Sequence, residues 1–208
     1  GIVLDGVFSH TGSDSRYFNR EGRYGEGGAY RDPSSPYRSW YDFDPKYKGG
    51  YRSWWGFETL PEVNEETPSY VEFITGEGGV IDTWLRRGAA GFRLDVADEL
   101  PDSFIEKVRT AVKRVSPDKF LLGEVWEDAT TKFGFDKRRT YLLGKGLDSV
   151  MNYPFKNAVL GFVCGRDAGQ TMTDILTLCE HYPAPALDTA LNFLSTHDTE
   201  RALTVIAD

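Results

Sequence analysis

Cysteine and methionine are scarce in this sequence, with two residues of each. Cys164 and Cys179 are too few for a disulfide framework, and neither has a Cys or His partner at metal-ligand spacing, so we interpret both as small buried thiols. No apolar run approaches the ~20 residues that a membrane-spanning helix needs. These absences argue against a disulfide-stapled, zinc-binding or membrane-spanning protein.

Basic residues are fewer than acidic ones: the sequence has 24 Lys and Arg and 32 Asp and Glu, for a net charge of -8. No run of five basic residues occurs. Because phosphate recognition depends on a positive field, we expect neither nucleic acid nor a membrane surface as a partner. The sequence starts at Gly1 without a start methionine or a signal-peptide pattern, so we expect the middle of a longer protein. Localisation therefore stays open, with the cytoplasm as our working expectation.

Short apolar runs alternate with helical patterns along the chain. Buried strands are predicted at residues 2–4, 91–96 and 120–125, and an amphipathic helix separates the last two. That helix has Pro101 near its first turn, and its apolar face consists of Phe104, Val108, Ala111, Val112 and Val115. The resulting strand-helix-strand unit predicts an α/β protein with a parallel sheet.

The remaining elements continue this alternation. Further strands are predicted at residues 148–152 and 191–194, with helices at 154–163 and 170–182. A longer helix is expected over residues 68–87, interrupted by the glycines at 76–79.

Residues 11–58 have a different character. They hold 13 of the 29 aromatic residues and 8 of the 22 glycines, without a sustained helical or alternating period. We interpret them as a turn-rich excursion between a strand and its following helix. Most of its aromatics are expected to form a small core of their own, with one or two of Tyr41, Trp54 and Trp55 facing a ligand.

Ionisable side chains recur where predicted strands end, in residues 5–10, 93–95, 124 and 197–198. An isolated aspartate after a strand is most often a turn or helix cap. In a parallel α/β barrel, however, the carboxyl ends of all strands form one face, so residues distant in sequence meet there. Recurrence on four strands therefore predicts a single polar site.

Five ordered motifs carry a resemblance to a known family. The segments DGVFSH (5–10), GFRLDVADE (91–99), GEVW (123–126) and FLSTHD (193–198) resemble the four signature regions of the α-amylase family, glycoside hydrolase family 13. LPEVN (60–64) is similar to its additional short motif, and MNYPF (151–155) resembles the neopullulanase and cyclomaltodextrinase branch. The resemblance implies a (β/α)₈ barrel in residues 1–10 and 59–208, with residues 11–58 as an inserted subdomain.

The resemblance also implies roles for individual residues. Asp95 matches the nucleophile of a retaining glycosidase, Glu124 its acid/base, and Asp198 the third carboxylate, which stabilises the transition state. Sugar-hydroxyl contacts are implied for the two histidines and a supporting structural role for the first aspartate, at His10, His197 and Asp5.

Physical chemistry is consistent with these roles. Arg93 precedes Asp95 by two residues on one strand, so the two side chains share a face, and its guanidinium can hold the nucleophile ionised. Glu124 has to retain its proton until the leaving oxygen needs it, which favours a less polar setting near Trp126.

Two positions depart from the family pattern. Ser9 stands where the resemblance implies an Asn that ligates structural calcium, and a hydroxyl is a poorer calcium ligand than an amide carbonyl, so we expect no cofactor and no calcium at this position. Asp98 stands where Lys or His contacts the leaving-group sugar, which leaves the preference on that side open.

Alternative functions use the same residues. The leading hypothesis is hydrolysis of α-glucosidic bonds in starch-like or maltooligosaccharide substrates; transglycosylases and isomerases of the family share its catalytic set. A non-catalytic relative would be expected to lack one of the three carboxylates, and a sugar-binding module would not explain acids at strand ends. A barrel takes about 250 residues, so the length outside the excursion corresponds to about five strand-helix units. The motif order of the resembled family implies that these are about strands three to seven, and we expect an isolated segment with unpaired edge strands to form homo-oligomers or aggregates.

Overall fold

The computed structural model describes residues 1–207, which form two compact units, residues 1–119 and 120–207. In the first unit, strands β1 (Val3–Gly6) and β2 (Gly91–Leu94) pair in parallel. Their register places Asp5 opposite Arg93. The α/β class and the parallel pairing predicted from the sequence are confirmed.

The two strands differ in burial. All four residues of β2 are buried, as expected for a strand covered on both faces. β1 lies at the edge of its sheet, and Ile2 and Val3 are exposed, so the prediction of a buried first strand is wrong for these residues. An edge strand has a neighbour on one side only, which leaves its apolar side chains partly uncovered.

Three helices pack together in the first unit: α1 (Pro68–Thr75), α2 (Val80–Arg86) and α3 (Asp102–Val115). The break between α1 and α2 falls at the predicted glycines. Gly78 has φ 74°, and a Cβ on Gly79 would lie 2.8 Å from the Phe73 carbonyl oxygen, so larger residues would clash or strain here. The apolar face of α3 is buried as predicted, apart from Val115 at its end.

The excursion, residues 11–58, is built from turns and three short 3-10 helices, Arg38–Trp40, Lys48–Gly50 and Trp54–Gly56. Its own aromatic core is confirmed around Phe18, which packs against Tyr41 and Tyr51, all 5% exposed or less. Trp40 is also buried, but it packs against Tyr70 and Phe73 of α1. Asn19 supports one turn, because its amide donates to the carbonyl of Gly27 at 2.5 Å and its oxygen accepts from the Tyr24 N–H at 3.1 Å. Local side-chain hydrogen bonds of this kind replace a regular backbone ladder.

The second unit begins with strand β3 (Phe120–Gly123), followed by a short antiparallel hairpin of β4 (Phe133–Gly134) and β5 (Lys137–Arg138). Strand β6 (Ser149–Val150) pairs in parallel with β3. The helices are α4 (Tyr153–Val163), α5 (Ala168–His181), α6 (Ala184–Asp188) and α7 (Ala202–Ala207). The predicted strand at 148–152 and the helices at 154–163 and 170–182 are confirmed within a few residues.

Two predictions fail in the second unit. The predicted strand at 191–194 is a single parallel bridge from Leu191 to Met151, because the chain then enters a turn in which the Thr196 N–H donates to the Thr199 hydroxyl at 2.9 Å. Cys164 and Cys179 are exposed rather than buried, since one follows the last turn of α4 and the other lies on the outer side of α5. In the described part of the chain, no helix is long and apolar enough to cross a membrane.

Candidate active site

Arg93 lies between the two carboxylates Asp5 and Asp95. Its Nη1 donates to Asp5 Oδ1 at 2.7 Å and to Asp95 Oδ1 at 2.5 Å. The strand register brings Asp5 beside Arg93, while the two-residue spacing along β2 brings Asp95 to the same face. The Arg93 and Asp95 side chains are 11% and 19% exposed, so solvent screens their charge-assisted bond weakly, whereas the Asp5 side chain is 47% exposed. The arrangement favours an ionised, oriented Asp95.

The backbone around Asp95 is unusual. The Asp95 N–H donates to the Gly6 carbonyl at 3.2 Å, which extends the pairing beyond the end of β2. The next residue, Val96, has φ 39°, a conformation that β-branched residues rarely adopt. Such backbone strain concentrates at functional sites, where the surrounding structure holds it in place.

His10 is held in position by a hydrogen bond with one side chain and by a stacking contact with another. Its Nδ1 lies 2.9 Å from the Ser9 hydroxyl, and its ring stacks on Trp54 with centroids 5.2 Å apart. Burial lowers the pKa of His10, and the charges of Asp95 and Glu99 oppose part of that shift, so the ring is neutral at neutral pH. With Nδ1 engaged by Ser9, it is Nε2 that can meet a sugar hydroxyl, as donor or as acceptor according to the tautomer.

The short motif at residues 60–64 lies directly beside this segment. The Thr11 N–H donates to the Pro61 carbonyl at 3.0 Å, and the Val63 N–H donates to the Ser9 carbonyl at 3.0 Å. Two motifs that are about fifty residues apart in sequence therefore form one short antiparallel contact around His10.

Glu124 is buried at the end of β3, with 2% of its surface exposed. The Trp126 indole N–H donates to its Oε1 at 3.0 Å, and the Tyr153 hydroxyl donates to the same oxygen at 3.2 Å. The two rings stack on each other with centroids 4.6 Å apart. Both donors point to one oxygen and hold the carboxyl group in a fixed orientation after the end of β3.

Tyr153 is a site residue that the sequence interpretation missed. Burial, together with the charges of Glu124 and Asp198, raises the pKa of its phenol to about 12, so the hydroxyl remains a donor at neutral pH. Phe193 packs edge-on against its ring at 4.8 Å. The motif MNYPF contained this residue, but nothing in its spacing pointed to a partner 29 residues earlier.

The last motif lies in an exposed turn. His197 Nε2 is 3.1 Å from Asp198 Oδ2, and their side chains are 71% and 41% exposed. The Asp198 N–H donates to the Thr196 hydroxyl at 3.3 Å. Asp198 also lies within electrostatic range of Tyr153, and so near the group that binds Glu124.

The predicted site residues thus fall into two sets. The first unit brings together Asp5, His10, Arg93 and Asp95, and the second brings Glu124 into the neighbourhood of Asp198 and His197. Convergence of the two sets in one cleft stays a prediction. Tyr41 is 5% exposed and its hydroxyl lies 3.0 Å from that of Thr11, which favours Trp54 and Trp55 as the residues that face a ligand.

The residues at the calcium position implied by the family resemblance do not fit that ion. The Ser9 hydroxyl is 2% exposed and engaged with the His10 ring. Calcium takes six to eight oxygen ligands, and a hydroxyl already hydrogen-bonded to imidazole is a weak candidate. Among the described residues, no cluster of three or more His, Cys, Asp or Glu side chains could hold a metal ion.

Comparison with known proteins identifies similar chains. The family model described as alpha amylase, catalytic domain, matches residues 1–208. The chain is 34% identical to an amylopullulanase of Thermoanaerobacterium saccharolyticum over 98% of its own length and 18% of the relative. It is also 34% identical to a cyclomaltodextrinase of a Bacillus species, over 98% of the chain and 35% of that relative.

A solved structure shows the same fold. The cyclic alpha-maltosyl-(1→6)-maltose hydrolase from Arthrobacter globiformis superimposes with a TM-score of 0.84 at 29% identity, covering 99% of this chain and 44% of the hydrolase. The chain therefore spans less than half the length of each of these three proteins.

Proposed function

The chain belongs to the alpha-amylase family, and from this we propose that it supplies the catalytic residues of a retaining glycoside hydrolase acting on α-glucosidic bonds. The substrates are starch-like α-glucans or maltooligosaccharides. Relatives named amylopullulanase and cyclomaltodextrinase support this substrate class.

One observation carries the proposal: Asp95 and Glu124 have contrasting environments. Asp95 accepts a hydrogen bond from the Arg93 guanidinium, whereas Glu124 is buried against Trp126 and Tyr153. An ionised carboxylate beside an arginine suits a nucleophile, and a carboxyl shielded from solvent suits a proton donor.

The reaction then proceeds in two balanced steps. The Asp95 carboxylate attacks the anomeric carbon, while Glu124 gives its proton to the departing glycosidic oxygen, leaving a covalent glycosyl ester. In the second step Glu124 takes a proton from water, whose oxygen attacks the same carbon and releases Asp95. Asp198, His10 and His197 bind sugar hydroxyls around the distorted ring in this scheme.

The proposal also includes the fold of the chain. Residues 1–10 and 59–208 would form the central part of a (β/α)₈ barrel, about strands three to seven, and residues 11–58 its inserted subdomain. The TM-score of 0.84 with a family hydrolase supports the barrel assignment. The aromatic core of the excursion, with Phe18 fully buried, supports treating it as a separate folding element.

Product analysis tests the function. The full-length protein is incubated with maltodextrin, pullulan or cyclodextrin, and the products are separated by thin-layer chromatography. Asp95→Asn is the matched variant, because it keeps the shape of the side chain and removes the nucleophilic charge; we expect at least about a thousandfold loss of turnover with an unchanged melting temperature. Hydrolysis that survives this substitution would contradict the assignment of Asp95.

A further inference from the structure

Two adjacent tryptophans of the excursion share one carboxylate. The Trp54 indole N–H donates to Glu99 Oε2 at 2.7 Å, and the Trp55 indole N–H donates to Glu99 Oε1 at 2.9 Å. Each bond is charge-assisted, so it is stronger and more directional than a bond between neutral groups. Glu99 therefore fixes the orientation of both rings at once.

The two rings form a stack that continues to the candidate site. The centroids of Trp54 and Trp55 are 5.0 Å apart at 18°, and Trp54 also stacks on His10 at 5.2 Å and, at a longer distance, on Phe57 at 6.4 Å. His10 in turn lies within electrostatic range of Asp95. A stack of three rings thus extends from Trp55 to His10, which belongs to the same set of site residues as the proposed nucleophile.

Trp55 occupies a position that folding alone does not favour. Its backbone is left-handed, with φ 50° and ψ 25°, a region in which glycine and asparagine are the usual residues. Burial does not offset this strain, because the side chain is 74% exposed. A strained, exposed aromatic residue that is also held by a carboxylate is arranged to present its ring to something outside the fold.

We propose that Glu99 is a positioning residue that holds Trp55 as a stacking platform for a glucosyl ring of an α-glucan. The inference rests on the proposed function for the identity of the ligand. The indole N–H is occupied by Glu99, so the ring offers its π face, and the flat C–H face of a glucose unit is the complementary surface. Because Trp55 stacks on Trp54 and Trp54 on His10, the glucosyl ring bound at Trp55 belongs to the same α-glucan molecule that enters the candidate site.

Binding tests the platform without catalysis. In an Asp95→Asn background of the full-length protein, maltoheptaose affinity is measured by calorimetry. Adding Trp55→Ala should raise the dissociation constant about three- to tenfold, the scale of one lost aromatic stack. Tyr24→Ala is the matched control, an exposed aromatic of the same excursion at 58%, and should leave the affinity unchanged. Equal affinity of the Trp55→Ala protein and its parent would overturn the platform, as would absence of maltoheptaose binding by the parent.

The positioning role of Glu99 is tested with measurements that a general loss of stability would not change. In nitrogen-15 spectra, Glu99→Ala should move two indole N–H signals upfield, while Glu99→Gln, which keeps one acceptor oxygen, should move them less. In the active enzyme both variants should raise KM for maltoheptaose more than they lower kcat, with Glu99→Gln the milder. Unmoved indole signals would contradict the role of Glu99.

The two proposals fail separately. If the wild-type protein binds maltoheptaose through Trp55 but cleaves no α-glucan, the proposed function is wrong and the platform stands. If it cleaves α-glucans and Trp55→Ala changes neither affinity nor KM, the platform is wrong and the function stands. Because the Trp55 ring is exposed, its removal should leave the melting temperature unchanged, and measuring that temperature excludes a folding defect in the Trp55→Ala variant.

Discussion

Glu124 accepts two hydrogen bonds on a single oxygen, and this detail determines what each neighbour does. Trp126 and Tyr153 both donate to Oε1, so together they hold the carboxyl group in a fixed orientation. Orientation of a proton donor matters because transfer requires hydrogen-bond reach to the leaving oxygen. Two variants distinguish the contribution of the Glu124 carboxyl group from that of the residues that orient it.

Glu124→Gln removes the transferable proton and keeps the shape of the side chain. Activity on maltooligosaccharide should fall by at least about a hundredfold. Activity on an α-glucosyl fluoride should survive better, because fluoride leaves with little protonation. Initial rates on both substrates measure the difference. Equal losses on the two would rule out Glu124 as the acid.

Tyr153→Phe removes one donor to Glu124 while retaining the ring that stacks on Trp126. We expect kcat on maltooligosaccharide to decrease about tenfold, with a smaller effect on the fluoride substrate, since only protonation of the leaving group depends on this contact. Tyr182→Phe is a suitable comparison: its hydroxyl is also buried, but it accepts from the Ala129 N–H. Similar kinetics in the two variants would contradict a specific role for Tyr153.

At the scale of elements, the junction between the excursion and α1 contains a titratable group outside the catalytic set. Burial raises the pKa of Glu65 to about 8, and the charges of Glu62 and Glu66 act in the same direction, while Arg52 opposes them. Burial also raises the pKa of Glu62, although Arg52 lies 2.7 Å from its carboxylate. This junction therefore favours a protonated carboxyl.

Protonation of Glu65 links stability to pH. Between pH 4.5 and about 8, the folded state holds a proton that the unfolded state has lost, so the contribution is fully present below pH 4.5 and disappears as pH rises through about 8. The free energy of unfolding should fall across this window by at most about 1.4 kcal/mol per pH unit.

Glu65→Gln should flatten that slope and stabilise the protein at pH 8, because the amide stays neutral throughout. Some slope should remain from Glu62. Urea unfolding at a series of pH values measures the effect, with the exposed neighbour changed in Glu66→Gln as the control. A slope that Glu65→Gln leaves unaltered would disprove the linkage.

At the scale of the whole molecule, stability should not depend on calcium bound at Ser9. A tight ion bound only to the folded state would raise the melting temperature through mass action, and chelator would reverse that gain. We expect chelator to shift the melting temperature by less than about 2 °C. A large downward shift would show that other oxygen ligands form a site.

Oxygen ligands for such a site could come from acidic residues of the excursion, and three of these already have a contact in the fold. Asp14 pairs with Arg23 at 2.6 Å, Asp32 accepts from Ser34 at 2.7 Å, and Asp42 accepts from the Tyr47 hydroxyl at 2.9 Å. These contacts are exposed and would exchange readily, so the chelator experiment remains decisive.

The sequence alone determined the family, the α/β class and most helices, because these depend on local pattern. The face shared by Arg93 and Asp95 follows from the two-residue period of a strand, and the break before α2 follows from the glycines at 76–79. Ile2 and Cys164 were predicted to be buried and are exposed, because burial depends on which other elements pack against a residue.

Only the tertiary structure decided which partners hold the functional groups. Glu124 is bound by Tyr153 from 29 residues later, and Glu99 by Trp54 from 45 residues earlier. No period in the sequence connects such positions, because their contact arises when separate elements pack and any of several aromatics could have been the neighbour. Local chemistry therefore identified the carboxylates, and long-range packing assigned them their hydrogen-bond donors.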